Sequence, residues 1–137
     1  MLRDGQSVNG LETGVKPIDL YARSEDGKTA PWSEKQVYER LTNSCSTPDQ
    51  RYIVDRLGPE AIEPLVAPVN PTEERWGSVR RFYIAAAEDG AADPAAVQRM
   101  LAASPCEAAY EVQADHSAFF SAPVELSYVL HTIALKD

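Results

Sequence analysis

The sequence has no long hydrophobic run and no cluster of basic residues. No stretch approaches the roughly 18 uninterrupted apolar positions of a membrane-spanning helix, and the first residues lack the apolar region of a secretory signal. The formal net charge is −8, and the longest basic run is the pair Arg80-Arg81. We therefore expect a cytoplasmic protein that binds neither nucleic acid nor a membrane surface.

Cysteine and histidine are also scarce. Cys45 and Cys106 fall in separate segments, in no CxxC motif and in no histidine-rich ligand spacing. This pattern gives no support to a disulfide framework or to a structural zinc site. We expect two reduced thiols, no metal and no cofactor.

The length of 137 residues suits one domain, and the apolar content of 44% is ordinary for globular proteins. Gly-rich polar spacing makes residues 1–30 loop-like. We place a boundary around residues 68–78, which divides the chain into an initial loop and helical cap over 1–78 and a core segment over 79–137. The stretch before the boundary is linker-like because it is punctuated by prolines, namely Pro59, Pro64, Pro68 and Pro71.

Two segments of the cap carry signals for the start of a helix. Ser33-Glu34-Lys35-Gln36 and Thr47-Pro48-Asp49-Gln50 both match the capping box, in which side chains satisfy free N–H groups of the first turn. They predict helices near residues 34–42 and 48–57. The apolar stripes of these helices are narrow, which suits a lid more than a deep core.

From residue 81 the pattern changes to strand, helix, strand, helix. The expected elements are a strand over 82–87, a helix from Asp93-Pro94 to Ser104, a strand over 110–113, and a helix from Pro123 through Leu135. This βαβα order predicts an α/β fold with parallel strands. Two such strands are too few to bury their apolar side chains, so we expect another chain, either a second polypeptide or a copy of this one, to complete the sheet.

An acid and a histidine follow the two predicted strands. Asp89 comes just after the first strand and His116 just after the second. Side chains beyond the carboxyl ends of parallel strands meet at one edge of the sheet, where α/β folds assemble their sites. There Asp89 can accept the Nδ1 proton of His116 and leave Nε2 facing a substrate or a nucleophile. A purely structural hydrogen bond is the alternative.

Several motifs in this order resemble the α/β-hydrolase family, most closely its methylesterase and hydroxynitrile-lyase branch. The resembling residues are Arg3-Asp4-Gly5-Gln6-Ser7, Cys45-Ser46-Thr47-Pro48-Asp49, Glu74-Arg75-Trp76-Gly77-Ser78-Val79, Tyr83-Ile84, Glu88-Asp89, Gln98, Ala114-Asp115-His116-Ser117, Ser121-Ala122-Pro123 and Leu126. The resemblance covers the second half of such an enzyme: the cap, the last two strands and their helices. It implies a partial α/β-hydrolase fold.

The resemblance implies that Asp89 is the acid and His116 the base of a Ser-His-Asp triad. The Gly-x-Ser-x-Gly nucleophile elbow and the oxyanion hole belong to the first half of the family fold, and the chain has no such motif. Ser7, in Gly5-Gln6-Ser7-Val8-Asn9-Gly10, is the nearest imitation, but it follows no strand. We interpret Ser7 as a loop hydroxyl.

The resemblance also bears on the reaction and on the substrate. Cyanohydrin-cleaving members of the family carry a lysine directly after the catalytic histidine, whereas this chain has Ser117, which favours hydrolysis of a small hydrophobic ester. Four aromatic residues are candidates for the lining of an acyl or aromatic pocket, with a simple core role as the alternative: Trp32, Trp76, Phe119 and Phe120.

Three functions remain open at this point. The first is half of a split or truncated carboxylic ester hydrolase, in which a separate N-terminal chain supplies the serine. The second is a non-catalytic accessory protein of the same family that associates with itself or binds a small hydrophobic ligand. The third is general acid-base catalysis by the Asp-His pair alone.

Overall fold

The computed structural model describes residues 23–68 and 71–136, so the loop with Ser7 lies outside the described residues. These residues form two compact units. Within the described ranges, the first unit contains residues 23–32, 58–68, 71–80 and 93–105, and the second contains 33–57, 81–92 and 106–136. Each unit is built from separate stretches of the chain. The predicted division at residue 78 stays a prediction.

The first unit begins with a short antiparallel pair of strands. β1 (Thr29–Ala30) pairs with β2 (Glu60–Ala61), and the buried side chains of Ala30 and Ile62 form a small cluster beside this pair. Both strands lie in stretches that the sequence predicts to be loop or linker. Two residues are too few to show the alternating pattern that identifies a strand.

The proline-rich stretch also contains helical structure. Glu63–Val66 form a short helix, α3, with Pro64 in its first turn. Proline suits this position because the N–H groups of a first turn have no partner within the helix, so the missing N–H of proline costs nothing. Glu73–Gly77 form a single turn of π-helix after Thr72, whose side chain accepts a hydrogen bond from the N–H of Arg75. The prediction of an extended linker is therefore wrong for Glu63–Val66.

The longest helix of the first unit is α4 (Pro94–Ala103). Its start is set by Asp93, whose carboxylate accepts a hydrogen bond from the N–H of Ala95, and by proline at the first helical position. The predicted helix from Asp93-Pro94 to Ser104 is confirmed to within one residue.

The second unit begins with two capped helices. In α1 (Glu34–Gln36) the Ser33 hydroxyl and the Gln36 side chain form the predicted capping box, and the helix continues as a π-helix over Val37–Leu41. α2 (Thr47–Val54) is capped by Ser46, one residue earlier than the sequence pattern indicates, and it ends three residues before the predicted limit. Both helices are confirmed.

The second unit also contains the only parallel sheet of the described residues. β3 (Phe82–Ala86) and β4 (Ala108–Val112) pair in parallel, with Phe82 opposite Ala108 and Ala86 opposite Val112. β4 begins two residues earlier than predicted. Every residue of β3 is half-buried, although the continuous apolar run is typical of a fully covered strand.

Two helices follow the sheet in the second unit. α5 (Ala118–Ser121) is a single turn that the sequence does not predict, and α6 (Pro123–Ala134) is the predicted final helix. The core of this unit is formed by Val112, Ala114 and Val129, with half-buried apolar side chains around them. The element order confirms the partial α/β fold, and no described helix is long and apolar enough to cross a membrane.

Candidate functional site

The turn that carries Asp89 is fixed by backbone hydrogen bonds at the carboxyl end of β3. The N–H groups of Ala87 and Glu88 donate to the carbonyls of Val112 and Ala114, at 3.0 and 2.9 Å, so the turn stays paired with the chain that follows β4. The Asp89 carboxylate accepts hydrogen bonds from the N–H groups of Ala91 and Ala92, at 2.7 and 3.0 Å. These bonds fix the orientation of the carboxylate.

His116 lies in the loop between β4 and α5, and its ring reaches Asp89. Nδ1 of His116 is 3.0 Å from Oδ2 and 3.1 Å from Oδ1 of Asp89. The Asp89 side chain is 17% exposed and that of His116 is 49% exposed. The structure therefore brings together the two residues that the sequence places at one edge of the sheet.

The contact shifts the protonation of both groups. Burial alone would raise the pKa of Asp89, but the hydrogen bonds from His116, Ala91 and Ala92 outweigh this effect, and the pKa is lowered. The hydrogen bond to Asp89 raises the pKa of His116, and partial burial opposes that rise. The pair thus favours a carboxylate and an imidazole that readily accepts a proton.

A cavity of about 400 Å³ lies beside the imidazole in the second unit. Its lining is mostly apolar and is formed by Leu41, Tyr52, Ile53, Arg56, Leu57, His116, Ser117, Phe119 and Phe120. Phe120 packs at 5.9 Å from the ring of Tyr52 and at 5.2 Å from that of Phe119. A cavity with aromatic walls and one polar catalytic candidate is typical of a site for a small organic ligand.

The predicted pocket residues divide between the two units. Phe119 and Phe120 line the cavity beside His116. Trp32 and Trp76 belong to the first unit and are not among the residues that line this cavity. Phe119 and Phe120 lie three and four residues after His116, so their position near the histidine follows from the local sequence. Trp32 and Trp76 are far from His116 in sequence, so no local signal relates them to it.

Asp115 has contacts that the sequence does not indicate. Its side chain is fully buried, and its carboxylate accepts hydrogen bonds from the N–H of Ser117 at 2.9 Å and from the Ser121 hydroxyl at 2.8 Å. It also accepts a hydrogen bond from the N–H of Ser44 at 2.8 Å, across 71 residues of sequence. Asp115 thus accepts hydrogen bonds both within its own loop and from a distant part of the chain.

The thiol of Cys45 contacts the same buried carboxylate. Its Sγ lies 3.8 Å from Oδ1 of Asp115, and burial, together with the hydrogen bond and the charge of Asp115, raises the pKa of Cys45 to about 12. Cys45 and Cys106 are both free thiols. A thiol that stays protonated is a poor nucleophile, so Cys45 does not replace the missing serine.

Neither a metal site nor a serine next to the histidine is found among the described residues. No group of three or more histidine, cysteine, aspartate or glutamate side chains there is arranged to hold a metal ion. No serine hydroxyl in these ranges hydrogen-bonds to His116, and Ser121 is engaged by Asp115. The described residues provide a carboxylate, an imidazole in contact with it and a cavity.

The chain is similar in sequence to plant methylesterases. It is 34% identical over 146 aligned positions to putative methylesterase 13, chloroplastic, of Arabidopsis thaliana, an alignment that covers 98% of this chain and 33% of that protein. It is 31% identical to putative methylesterase 12, chloroplastic, of the same plant, over 84% of this chain and 34% of that protein. The chain thus spans about a third of these curated relatives. No protein-family model matches it.

Solved structures show the same fold. A methylesterase from Arabidopsis superposes with a TM-score of 0.73 at 21% identity, over 98% of this chain and 55% of that one. A pyrethroid hydrolase gives 0.77 at 19% identity, over 98% and 57%. Polyneuridine aldehyde esterase gives 0.72 at 21%, over 83% and 46%. The chain therefore corresponds to a part of each of these proteins.

Proposed function

The chain is a homologue of the plant methylesterases and has part of the α/β-hydrolase fold, and from this premise we propose that it supplies the acid and the base for the hydrolysis of small carboxylic esters. Asp89 is the acid and His116 the base of a Ser-His-Asp triad. The observation that carries the proposal is the contact of 3.0 Å between His116 Nδ1 and Asp89 Oδ2, at the rim of an apolar cavity.

The geometry supports a two-step acyl-transfer reaction. Asp89 holds the Nδ1 proton of His116, so Nε2 is the nitrogen available to take the proton of a serine hydroxyl as that oxygen attacks the ester carbonyl. The imidazolium returns the proton to the departing alkoxide, which leaves an acyl-serine. A water molecule, activated by the same nitrogen, then releases the carboxylic acid. Asp89 stabilises the imidazolium in both steps.

The serine and the oxyanion hole come, in this proposal, from polypeptide that corresponds to the N-terminal part of the relatives, and we expect it as a separate chain. β3 and β4 pair with one another and with no further strand of the described residues, and in this proposal strands of the other polypeptide extend the sheet. Apolar side chains on α6 are strongly exposed, with Val124 at 83% and Tyr128 at 72%. Such edges and side chains suit the remaining layers of an α/β core.

The cavity indicates the kind of ester. Its lining is mostly apolar, and Phe119 and Phe120 stand beside the histidine, so a small hydrophobic acyl or aryl group fits it better than a charged one. The names of the relatives point to methyl esters. Ser117, which follows His116, has a buried side chain and carries no charge, which favours ester hydrolysis over lyase chemistry.

The test is complementation. The polypeptide encoded directly upstream, or a candidate chain with a Gly-x-Ser-x-Gly motif, is purified with this chain and assayed on p-nitrophenyl acetate and on small methyl esters. We expect hydrolysis that His116→Ala abolishes and that His131→Ala, which changes the other histidine, leaves intact. A folded assembly that hydrolyses no ester, or a homodimer that excludes the candidate chain, contradicts the proposal and favours the non-catalytic accessory protein.

A further inference from the structure

Ser44 contacts both of the loops that carry the Asp-His pair. Its N–H donates to Oδ2 of Asp115 at 2.8 Å, directly before His116 in the sequence. Its hydroxyl donates to the Glu88 carboxylate, directly before Asp89. Ser44 lies between α1 and α2, in a stretch that belongs to neither loop. We name residues 87–92, after β3, the acid turn, and residues 113–117, between β4 and α5, the histidine loop. Ser44 therefore connects the acid turn with the histidine loop.

The residues beside Ser44 make parallel connections. The Asn43 side chain donates to the Glu88 carbonyl at 2.9 Å, and the Cys45 thiol lies 3.8 Å from Asp115 Oδ1. The stretch Asn43-Ser44-Cys45, which we name the bridging segment, thus has two side-chain contacts to the acid turn. It also has two contacts to the buried carboxylate of the histidine loop.

The buried Asp115 carboxylate links the bridging segment to the backbone beside His116. Asp115 is fully buried and accepts hydrogen bonds from the N–H of Ser117 and from the Ser121 hydroxyl. The same N–H of Ser117 also points to the Leu41 carbonyl at 3.1 Å. Because the backbone is held on both sides of His116, the imidazole has few ways to swing away from Asp89.

The acid turn is held against the same part of the chain by close packing. A Cβ added to Gly90 would lie 2.5 Å from the carbonyl oxygen of Glu39 and 3.0 Å from the Cα of Arg40, in the π-helix before the bridging segment. The Arg40 guanidinium donates to the Ala91 carbonyl at 3.5 Å. This packing is independent of the hydrogen bonds of Ser44 and fixes the other side of the turn.

We infer that Ser44 and Asp115 are positioning residues, which hold the acid turn and the histidine loop at the separation that keeps Asp89 in contact with His116. The physical reason is entropic: a partly exposed side-chain pair on two loops is costly to order unless the loops are already fixed. The role bears on catalysis only if the function proposed above is correct. The contact itself can be measured without any turnover.

The experiment uses NMR on the full chain. The His116 ring is titrated by its ¹H and ¹³C shifts, and the downfield resonance of the proton on Nδ1 is followed as a marker of the bond to Asp89. In Ser44→Ala we expect that resonance to broaden and the pKa of His116 to fall towards that of a free imidazole. Ser44→Thr keeps the hydroxyl and is expected to restore both signals.

Two further variants separate the effect of the Ser44 hydrogen bond from the effect of the Glu88 charge and from the loss of a hydroxyl group in general. The charged groups that act on His116 are Asp89, Asp115 and Arg40, and Ser44→Ala also frees the Glu88 carboxylate. Glu88→Gln removes this charge but keeps an acceptor for Ser44, so we expect it to preserve the downfield resonance. Thr132→Val, which removes a hydroxyl bonded to the Tyr128 carbonyl within α6, is the matched control.

The outcomes are decisive in both directions. Loss of the resonance in Ser44→Ala, with recovery in Ser44→Thr, supports the inference. If Ser44→Ala titrates like Thr132→Val, Ser44 does not position the pair and the inference is wrong. Because this readout needs no serine-bearing partner, its failure is distinct from the failure of the complementation assay.

Discussion

Nδ1 of His116 lies 3.0 Å from Oδ2 of Asp89, although the two residues are 27 positions apart. One helix and one strand separate them in sequence. The parallel pairing of β3 with β4 brings the ends of both strands to one edge of the sheet. The contact is therefore a product of the strand order, and it accounts for the opposite pKa shifts of the two groups.

The first prediction concerns stability against pH. The pKa of His116 is raised, so its contribution is fully present below the unfolded value of 6.5 and is lost as pH rises through the folded pKa. The pKa of Asp89 is lowered, so its contribution is present above 3.8 and is lost as pH falls through the folded pKa. The pair should therefore stabilise the fold most between pH 3.8 and 6.5.

Urea unfolding of the wild type and of His116→Ala over this pH range measures the effect. We expect the difference in unfolding free energy to be largest in mildly acid solution and to shrink above the raised pKa of His116. His131→Ala controls for the loss of a histidine on α6. A difference that grows steadily towards alkaline pH would contradict the sign of the shift.

The second prediction concerns catalysis in the complemented enzyme. Asp89→Asn should lower kcat by roughly four orders of magnitude, because an amide can donate to Nδ1 and so favours the wrong imidazole tautomer. Initial rates on an activated ester test this expectation. Asp55→Asn, an exposed residue just after α2, should leave the rate unchanged. In the wild type, activity should rise with pH through the pKa of His116, which lies above 6.5.

The third prediction concerns the buried carboxylate of Asp115. Asp115→Ala removes the acceptor of the Ser44 N–H and the nearer of the two acceptors of the Ser121 hydroxyl. Asp115 is fully buried, so its removal costs these hydrogen bonds and leaves a cavity, and we expect a loss of about 3 kcal/mol in unfolding free energy. Chemical denaturation measures the loss. Asp55→Ala should change the stability by less than about 0.5 kcal/mol, and equal losses in both variants would show that the network contributes nothing.

The fourth prediction concerns Gly90. The added methyl group of Gly90→Ala meets the backbone of Glu39 and Arg40, which cannot move as a flexible side chain does. We expect a loss of about 2 kcal/mol in unfolding free energy and a weakened contact between Asp89 and His116. Gly58→Ala is the matched control, because its Cβ has nothing within 4 Å. Thermal melting and the His116 titration together report both effects.

Local signals allowed several elements to be predicted from the sequence. Ser33 and Asp93 mark the starts of their helices because caps and first-turn prolines act within a few residues. The parallel strands follow from the apolar run at 82–86 and from the helix between the strands. The short pair β1 and β2 has no periodicity of its own, so no local signal could reveal it.

The site was predictable only as far as strand order determines it. Asp89 and His116 follow their strands directly, and strand order brings them to one edge. The bond from Ser44 to Asp115 joins residues 71 positions apart, and nothing near Ser44 in sequence indicates a buried acceptor. Trp76 belongs to the first unit and is not among the residues that line this cavity, so its role in a pocket stays a prediction.

The Cys45 thiol offers a chemical reporter of this arrangement. Its pKa of about 12 means that, while Asp115 stays in place, almost none of the sulfur is in the thiolate form that attacks alkylating reagents. Iodoacetamide should therefore modify Cys45 mainly when the contact between Cys45 and Asp115 opens. The rate of Cys45 modification, followed by mass spectrometry of the peptide, therefore measures how often this contact opens. Cys106 in the same sample is the internal reference.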